Sequence, residues 1–172
     1  MITLVVMTKA SETFLNALKR NPETVDEARG RQQRAWLADL ATLRDQVRDW
    51  LAPVVAAKRA TLAAIDLDVT DPDLGTYSAP ALRISLAVSG TVDVTLRPRG
   101  MQVVGIVQTG GARFVGAQGR VDLEHGAIRE ILLRVLEDGE TRWLSFGTGQ
   151  KRVLDEEVFF ELLARVGDVD IG

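Results

Sequence analysis

Apolar residues recur at alternating steps of four and three in the first third of the chain. This spacing places them on one face of a helix. We therefore predict a long amphipathic helix from about Glu23 to Arg59, with Gly30 as a weak point. Pro53 lies inside the pattern, where a proline removes a backbone donor and should kink or restart the helix. The apolar positions are Trp36, Leu40, Leu43, Val47, Trp50 and Val54.

A shorter apolar stripe precedes the long helix. Ser11 has the character of an N-cap residue, and the stripe that follows ends near Asn21 and Pro22. The segment 10–60 is thus predicted to be helical, in a short helix and a long one. The stripe consists of Phe14, Leu15 and Leu18.

After Thr61 the hydrophobic period changes from 3.6 to 2, as in half-buried strands. Turn residues separate the alternating segments, and no helical pattern intervenes, so 61–147 is predicted to be a mainly antiparallel β-meander of about six or seven strands. Segment 127–136 also fits a helix, but its β-branched residues and the Asp138-Gly139 turn favour a strand. The strand-like segments are 65–69, 82–88, 92–96, 101–107, 113–115, 120–123, 127–136 and 141–146.

A last helix is predicted over 154–167, capped by Asp155 and ended by Gly167. Its apolar face and that of the long helix would cover one face of the sheet and leave the other solvated. The predicted fold class is α+β, and residues 1–172 are predicted to form a single domain. Residues 1–8 are interpreted as a disordered or wrongly assigned extension, with Met7 as the true start.

Composition narrows the functional classes. The chain of 172 residues has a net charge of −3, which disfavours nucleic acid or an anionic membrane as the partner. It contains no apolar run of spanning length and no cysteine, so disulfides and thiolate chemistry are excluded and the cytoplasm is the expected location.

No residue pattern indicates catalysis, a cofactor or a metal. His125, the only histidine, is interpreted as an exposed turn residue. The segment Gly147–Arg152 lacks the full pattern of a phosphate-binding loop and is interpreted as a connector. Four aspartates do not match a calcium loop and are interpreted as a solvated strand face with its turn. They are Asp66, Asp68, Asp71 and Asp73.

Four arginines lie in or beside the predicted turns and are the candidate contacts to an anion or a partner. Whether they converge depends on a register that the sequence leaves open, and nearby Asp122, Glu124 and Glu130 are possible ion-pair partners. The four are Arg97, Arg99, Arg113 and Arg120. The three tryptophans, at regular inward positions, are predicted to lie in the core.

These observations favour a non-catalytic binding module that recognises another protein, as an immunity protein or an assembly accessory factor does. One alternative is a domain, binding or enzymatic, that holds an anionic small molecule through the arginines. Another is a structural homodimer joined through the long helix, whose seam has coiled-coil spacing over fewer than three heptads.

Overall fold

A computed structural model describes residues 8–20, 24–102, 108–109, 112–113, 116–147 and 149–172. The described residues form three helices and nine strands. The helices are α1 (Lys9–Arg20), α2 (Val25–Ala56) and α3 (Glu156–Gly167). The strands are β1 (Ala60–Asp71), β2 (Gly75–Ala87), β3 (Thr91–Gly100), β4 (Gln108–Thr109), β5 (Ala112–Arg113), β6 (Arg120–His125), β7 (Ile128–Glu137), β8 (Glu140–Ser145) and β9 (Arg152–Val153).

Seven strands form one antiparallel sheet in the order β1-β2-β3-β6-β7-β8-β9. Each strand pairs with its neighbour through a short connection, except that the chain leaves the sheet between β3 and β6, where β4 and β5 form a separate two-stranded hairpin. The α+β meander predicted from the sequence is confirmed, and segment 127–136 is a strand. Of the predicted strand 101–107, Met101 and Gln102 are not in a strand and the remainder lies outside the described residues.

The long helix α2 begins with a capping box. The Thr24 hydroxyl accepts a hydrogen bond from the Glu27 amide at 3.2 Å, and the Glu27 carboxylate accepts one from the Thr24 amide at 3.0 Å. The helix is continuous through Pro53, which lies in its last turn, so it does not restart there. It ends at Ala56 rather than Arg59, because Lys58 adopts a left-handed conformation with φ of 57°.

Of the other two helices, α1 begins with a different cap from the one predicted, whereas α3 begins and ends as predicted. Thr8, not Ser11, caps α1, since the Thr8 hydroxyl accepts from the Ser11 amide at 3.2 Å. Asp155 caps α3 as predicted, with its carboxylate 2.8 Å from the Val158 amide. Helix α3 ends at Gly167 as predicted, and the left-handed residue that follows it is Asp168.

Helices α2 and α3 pack on the same face of the sheet and enclose the core, as predicted. Trp36 and Phe159 are fully buried there, and Trp50 joins the two helices by contacting Phe159 with ring centroids 5.5 Å apart. Trp36 also contacts Trp143 on β8, at 6.1 Å. Close packing requires glycine at position 119, because a Cβ on Gly119 would lie 2.3 Å from the Trp36 ring.

Strands β1 and β2 change which of their residues face the core partway along their length. In β2 the buried residues have odd numbers up to the middle of the strand, at Ala79 and Ala81. From there on they have even numbers, at Leu82, Ile84 and Leu86. The neighbouring strand shifts at the same level, where Ala63 and Ala64 are both exposed, although the pairing register is unbroken. The β1 strand therefore begins at Ala60 and is longer than the alternation that starts at Ile65 predicts.

The second face of the sheet, opposite the helices, is not uniformly solvated as predicted. Asp122 on β6, Leu133 on β7 and Leu144 on β8 are all buried, yet they alternate with core residues and lie outside the main core. This face therefore has an interior of its own at β6 to β8.

Candidate functional site

The second sheet face carries a cluster of four arginines that surround a buried carboxylate. Strand pairing creates it, because β3 and β6 place Arg97 opposite Asp122, and β6 and β7 place Arg129 opposite Glu124. A bulge between Pro98 and Gly100 brings Arg99 into the same group. We call the four residues Arg97, Arg99, Arg120 and Arg129 the arginine cluster.

Asp122 is the centre of the cluster and is completely inaccessible to solvent. Its Oδ1 accepts from Arg120 Nε at 2.7 Å, and its Oδ2 accepts from Arg99 Nε at 2.8 Å and Arg120 Nη2 at 3.0 Å. Arg129 Nη1 lies 4.0 Å from the same Oδ2. A buried charge is tolerated only when it is paired and hydrogen-bonded, and here the arginines meet that requirement.

Glu124 is the second acid of the cluster, and its side chain is 16% exposed. It accepts hydrogen bonds from Arg97 and Arg99. Four guanidinium groups thus face two carboxylates, which leaves two positive charges in excess. The arginine side chains are 27% to 49% exposed, so their remaining donors reach solvent. Guanidinium groups in this state bind carboxylates or phosphates by paired hydrogen bonds.

The structure brings together three of the four arginines that the sequence singled out. Arg97, Arg99 and Arg120 converge, whereas Arg113 lies in the separate hairpin, with its backbone paired to Gln108 and its side chain outside the described residues. Sequence reasoning missed Arg129. A two-residue turn at Gly126-Ala127 would have placed it opposite Glu124, because such turns fix the register of a hairpin.

The acids expected to pair with these arginines do so in two of three cases. Asp122 and Glu124 belong to the cluster, but Glu130 projects to the helix side, where it pairs with Arg165 at 3.4 Å. Arg165 also donates a hydrogen bond to the Gly147 carbonyl at 2.9 Å.

The segment Gly147–Arg152 does not form an anion cradle in its described part. Arg152 bonds to Glu161, an interaction that lowers the pKa of that carboxyl, and Lys151 lies 3.6 Å from Glu137. The α3 N-terminus that follows is occupied by the Asp155 carboxylate, with acidic residues in its first turn. These contacts satisfy the positive groups that would hold a phosphate.

His125 lies exposed at the end of β6. Its Nδ1 is 2.7 Å from the Asp93 carbonyl, and because a carbonyl only accepts, the ring donates from Nδ1. Among the described residues there is no group of three or more His, Asp or Glu side chains arranged to hold a metal ion.

A polar network that the sequence did not reveal links β1, β2 and α2. Asp71 is buried and accepts from the Met101 and Gln102 amides at 3.1 Å and 3.2 Å. Tyr77 donates to Asp71 and accepts from Trp36 Nε1 at 2.9 Å. The pKa of Tyr77 is raised well above its ordinary value, mainly by burial of the phenol and to a smaller extent by its hydrogen bond to Asp71. Asp71 is therefore a structural acceptor and not a turn residue alone.

Two concave regions in the described part of the chain lie away from the arginine cluster. One, of about 680 Å³, follows α2 from Asp45 to Ala56, and the other, of about 520 Å³, lies beside the end of α3. None of the helices described is both long enough and apolar enough to span a membrane. No known family model, curated protein or solved structure matches this chain.

Proposed function

We propose that the protein is a non-catalytic binding module that recognises an acidic segment of a partner protein through the arginine cluster. The observation that carries this proposal is the excess of two positive charges within the arginine cluster itself, in a chain whose net charge is −3. Concentrated charge of one sign steers and orients a partner of the opposite sign.

The shape of the surroundings favours a macromolecule over a small anion. Small-molecule sites are concave and enclose most of their ligand. The cluster lies on a strand surface, and the cavities of about 680 Å³ and 520 Å³ are lined by other residues. Arginine is enriched in protein interfaces, because its planar group packs and donates several hydrogen bonds at once.

The charge of the whole chain favours a protein over a nucleic acid. Asp122 and Glu124 occupy the inner donors of the arginines, so the outward donors remain for a partner. A short acidic peptide segment can be held by these donors alone, whereas a phosphate backbone extends beyond the cluster along a chain whose net charge is −3. An immunity or assembly-accessory role in the cytoplasm agrees with this mode of binding and with the size and acidity of the chain.

Binding of a fluorescently labelled oligoglutamate peptide, followed by anisotropy, tests the proposal. The informative variant is Arg97→Gln/Arg129→Gln, because Arg129 lies 4.0 Å from Asp122 and Arg97 bonds to the partly exposed Glu124. Their loss leaves the two closest partners of Asp122 in place. We expect affinity about tenfold weaker, which corresponds to about 1.4 kcal/mol, and a weaker dependence on salt.

The matched control is Arg29→Gln/Arg59→Gln, which removes two positive charges from exposed positions outside the sheet face. It should bind the peptide as the wild type does. Equal affinities for all three proteins would refute the proposal. Inorganic phosphate that binds at the cluster as tightly as the peptide does would instead assign the site to a small anion.

A further inference from the structure

Helix α1 presents an apolar face that has no place in the core. Phe14, Leu15 and Leu18 are spaced to lie on one side of the helix, and they are 66%, 39% and 57% exposed. None of the α1 side chains that the structure describes belongs to the core that α2, α3 and the sheet enclose. A short amphipathic helix in this state gains stability by burying that face against another surface.

An open groove of matching length runs along the C-terminal part of α2. Its apolar lining is provided by Ala52, Val55, Ala56 and Leu62, the last from strand β1. The groove follows α2 over the twelve residues 45–56, and α1 also has 12 residues, so both are about 18 Å long. The two alanines allow the close approach that helix packing needs.

Charges in the groove complement those of α1. Asp45 and Asp49 line one end together with Arg48, which lies 3.8 Å from Asp45, so the lining at this end has a net charge of −1. The other end is the C-terminus of α2, which has no basic residue in its last turn to balance the helix dipole. A helix that enters antiparallel to α2 would place Lys19 beside the aspartates and Lys9 beside the C-terminus of α2.

The α1 helix of the same chain cannot occupy this groove. Four residue steps separate Arg20 from Thr24, and they span at most about 14 Å. Phe14 therefore lies within about 27 Å of the start of α2, even with the connection fully extended. Ala52 is 27 residues beyond Val25, or about 40 Å along the helix. The occupant must come from another molecule.

We propose that α1 of one copy docks in the α2 groove of a second copy, and that the exchange is reciprocal, giving a two-fold symmetric dimer. In this arrangement each α1 extends in the direction of its own α2, and the two long helices run antiparallel. The interface is isologous, with both copies contributing the same two surfaces. It uses the exposed side of α2 and not the buried Trp36-to-Val54 seam, and it does not depend on the arginine cluster.

Light scattering on size-exclusion fractions tests the dimer. We expect the wild type to have twice the 18.8-kDa chain mass, and Phe14→Glu/Leu18→Glu to have the mass of one chain with an unchanged circular dichroism spectrum. The control Ile171→Glu alters an apolar residue that is equally exposed, at 64%, and should remain dimeric. A wild type that is monomeric at every concentration would overturn the proposal, as would a dimer that the double variant does not weaken.

Disulfide trapping identifies the surfaces, since the natural chain has no cysteine. Lys19→Cys and Asp49→Cys variants, mixed and oxidised, should form a cross-linked dimer, whereas a mixture of Lys19→Cys with Glu140→Cys, at the exposed start of β8, should not. Equal cross-linking in both mixtures would contradict the docking. Binding of monomeric protein to phosphatidylglycerol vesicles that requires Phe14 and Leu18 would show that α1 serves a lipid surface instead, and would also overturn the proposal.

Discussion

At the scale of single residues, the Trp36–Tyr77–Asp71 network shows how a polar residue contributes to the core. The Asp71 carboxylate is 2% exposed, and its acceptor capacity is satisfied by Tyr77 and by two backbone amides of the segment after β3. A Cβ at Gly100 would lie 2.4 Å from Asp71 Oδ1, so glycine is required beside this carboxylate. The network joins α2 to the end of β1, the start of β2 and the segment after β3 through directional bonds.

Tyr77 should make the stability of the protein sensitive to alkaline pH. Its pKa is raised in the folded state, so the folded protein retains a proton that the unfolded chain releases near pH 10. The stability contributed by this group is complete below pH 10 and is lost as pH rises toward the folded-state pKa. We expect Tyr77→Phe to cost about 1–3 kcal/mol at neutral pH, and this difference to shrink above pH 10.

Urea unfolding at several pH values measures the difference between wild type and Tyr77→Phe. Tyr77 is the only tyrosine of the chain, so tyrosinate absorbance also follows it directly. The control Thr76→Val removes a hydroxyl from the exposed Thr70–Thr76 pair, which are 2.8 Å apart, and should change the free energy of unfolding by less than about 0.5 kcal/mol. Tyrosinate formation at the same pH in native and urea-unfolded protein would contradict the account.

At the scale of secondary-structure elements, an ion pair between a buried arginine and a partly exposed aspartate joins α2 to strands β7 and β8 of the sheet. Arg134 on β7 bonds to Asp39 on α2 through Nε at 2.7 Å and Nη2 at 2.6 Å, and Thr141 on β8 donates to the same carboxylate at 2.8 Å. The guanidinium also lies over the Trp36 ring, at 5.9 Å, and donates to the Gln118 carbonyl at 3.1 Å. The arginine is therefore held from several sides.

Removal of Asp39 alone should destabilise the protein more than removal of both partners. Asp39→Ala leaves a buried guanidinium without its counter-ion, which costs about 3 kcal/mol. In Asp39→Ala/Arg134→Met the charge is absent and the methionine fills part of the space, so some of that loss should be recovered. Guanidinium unfolding of both variants, with the exposed Gln46→Ala as control, measures the difference. A double variant less stable than the single one would refute this reasoning.

Hydrophobic periodicity predicted most of the elements, because burial on one face imposes the period of a helix or a strand directly on the sequence. It predicted the α2 seam, the meander and α3. It did not predict the change of face at Ala64 in β1 and at Leu82 in β2. Each of these strands switches there from one alternation of buried and exposed positions to the opposite one. It also did not predict that α2 would continue through Pro53. The helix can continue because a proline in the last turn leaves few helical hydrogen bonds to disrupt.

The arginine cluster was predictable only in part, for a topological reason. Arg97 and Arg99 face Asp122 across β3 and β6, which the chain joins through a long excursion that includes the β4–β5 hairpin. A two-residue turn fixes register, but a connection of this length does not. The arginines themselves could be identified from the sequence, whereas their convergence on one buried carboxylate required the pairing of non-adjacent segments.

At the scale of the whole molecule, the chain divides into a packed body and a helix beside it. The body comprises α2, α3 and the sheet, which share one core and are joined by the Asp39–Arg134 pair and the Asp71 network. Its two sheet faces differ in chemistry: one is apolar under the helices, and the other carries the arginine cluster. Helix α1 adds no described residue to the core of the body, so the association proposed for it would not compete with folding of the body.

Deletion of residues 1–23 should therefore leave the fold intact but make the melting temperature independent of protein concentration. The shortened chain would begin at Thr24 and keep the capping box of α2. In dilute solution we expect its melting temperature to lie within about 2 °C of the full chain, since changes outside the core usually cost below about 0.5 kcal/mol. At higher concentration only the full chain should gain melting temperature, because dimerisation stabilises the folded state by mass action. A shortened chain that melts far lower at every concentration would show instead that α1 belongs to the body.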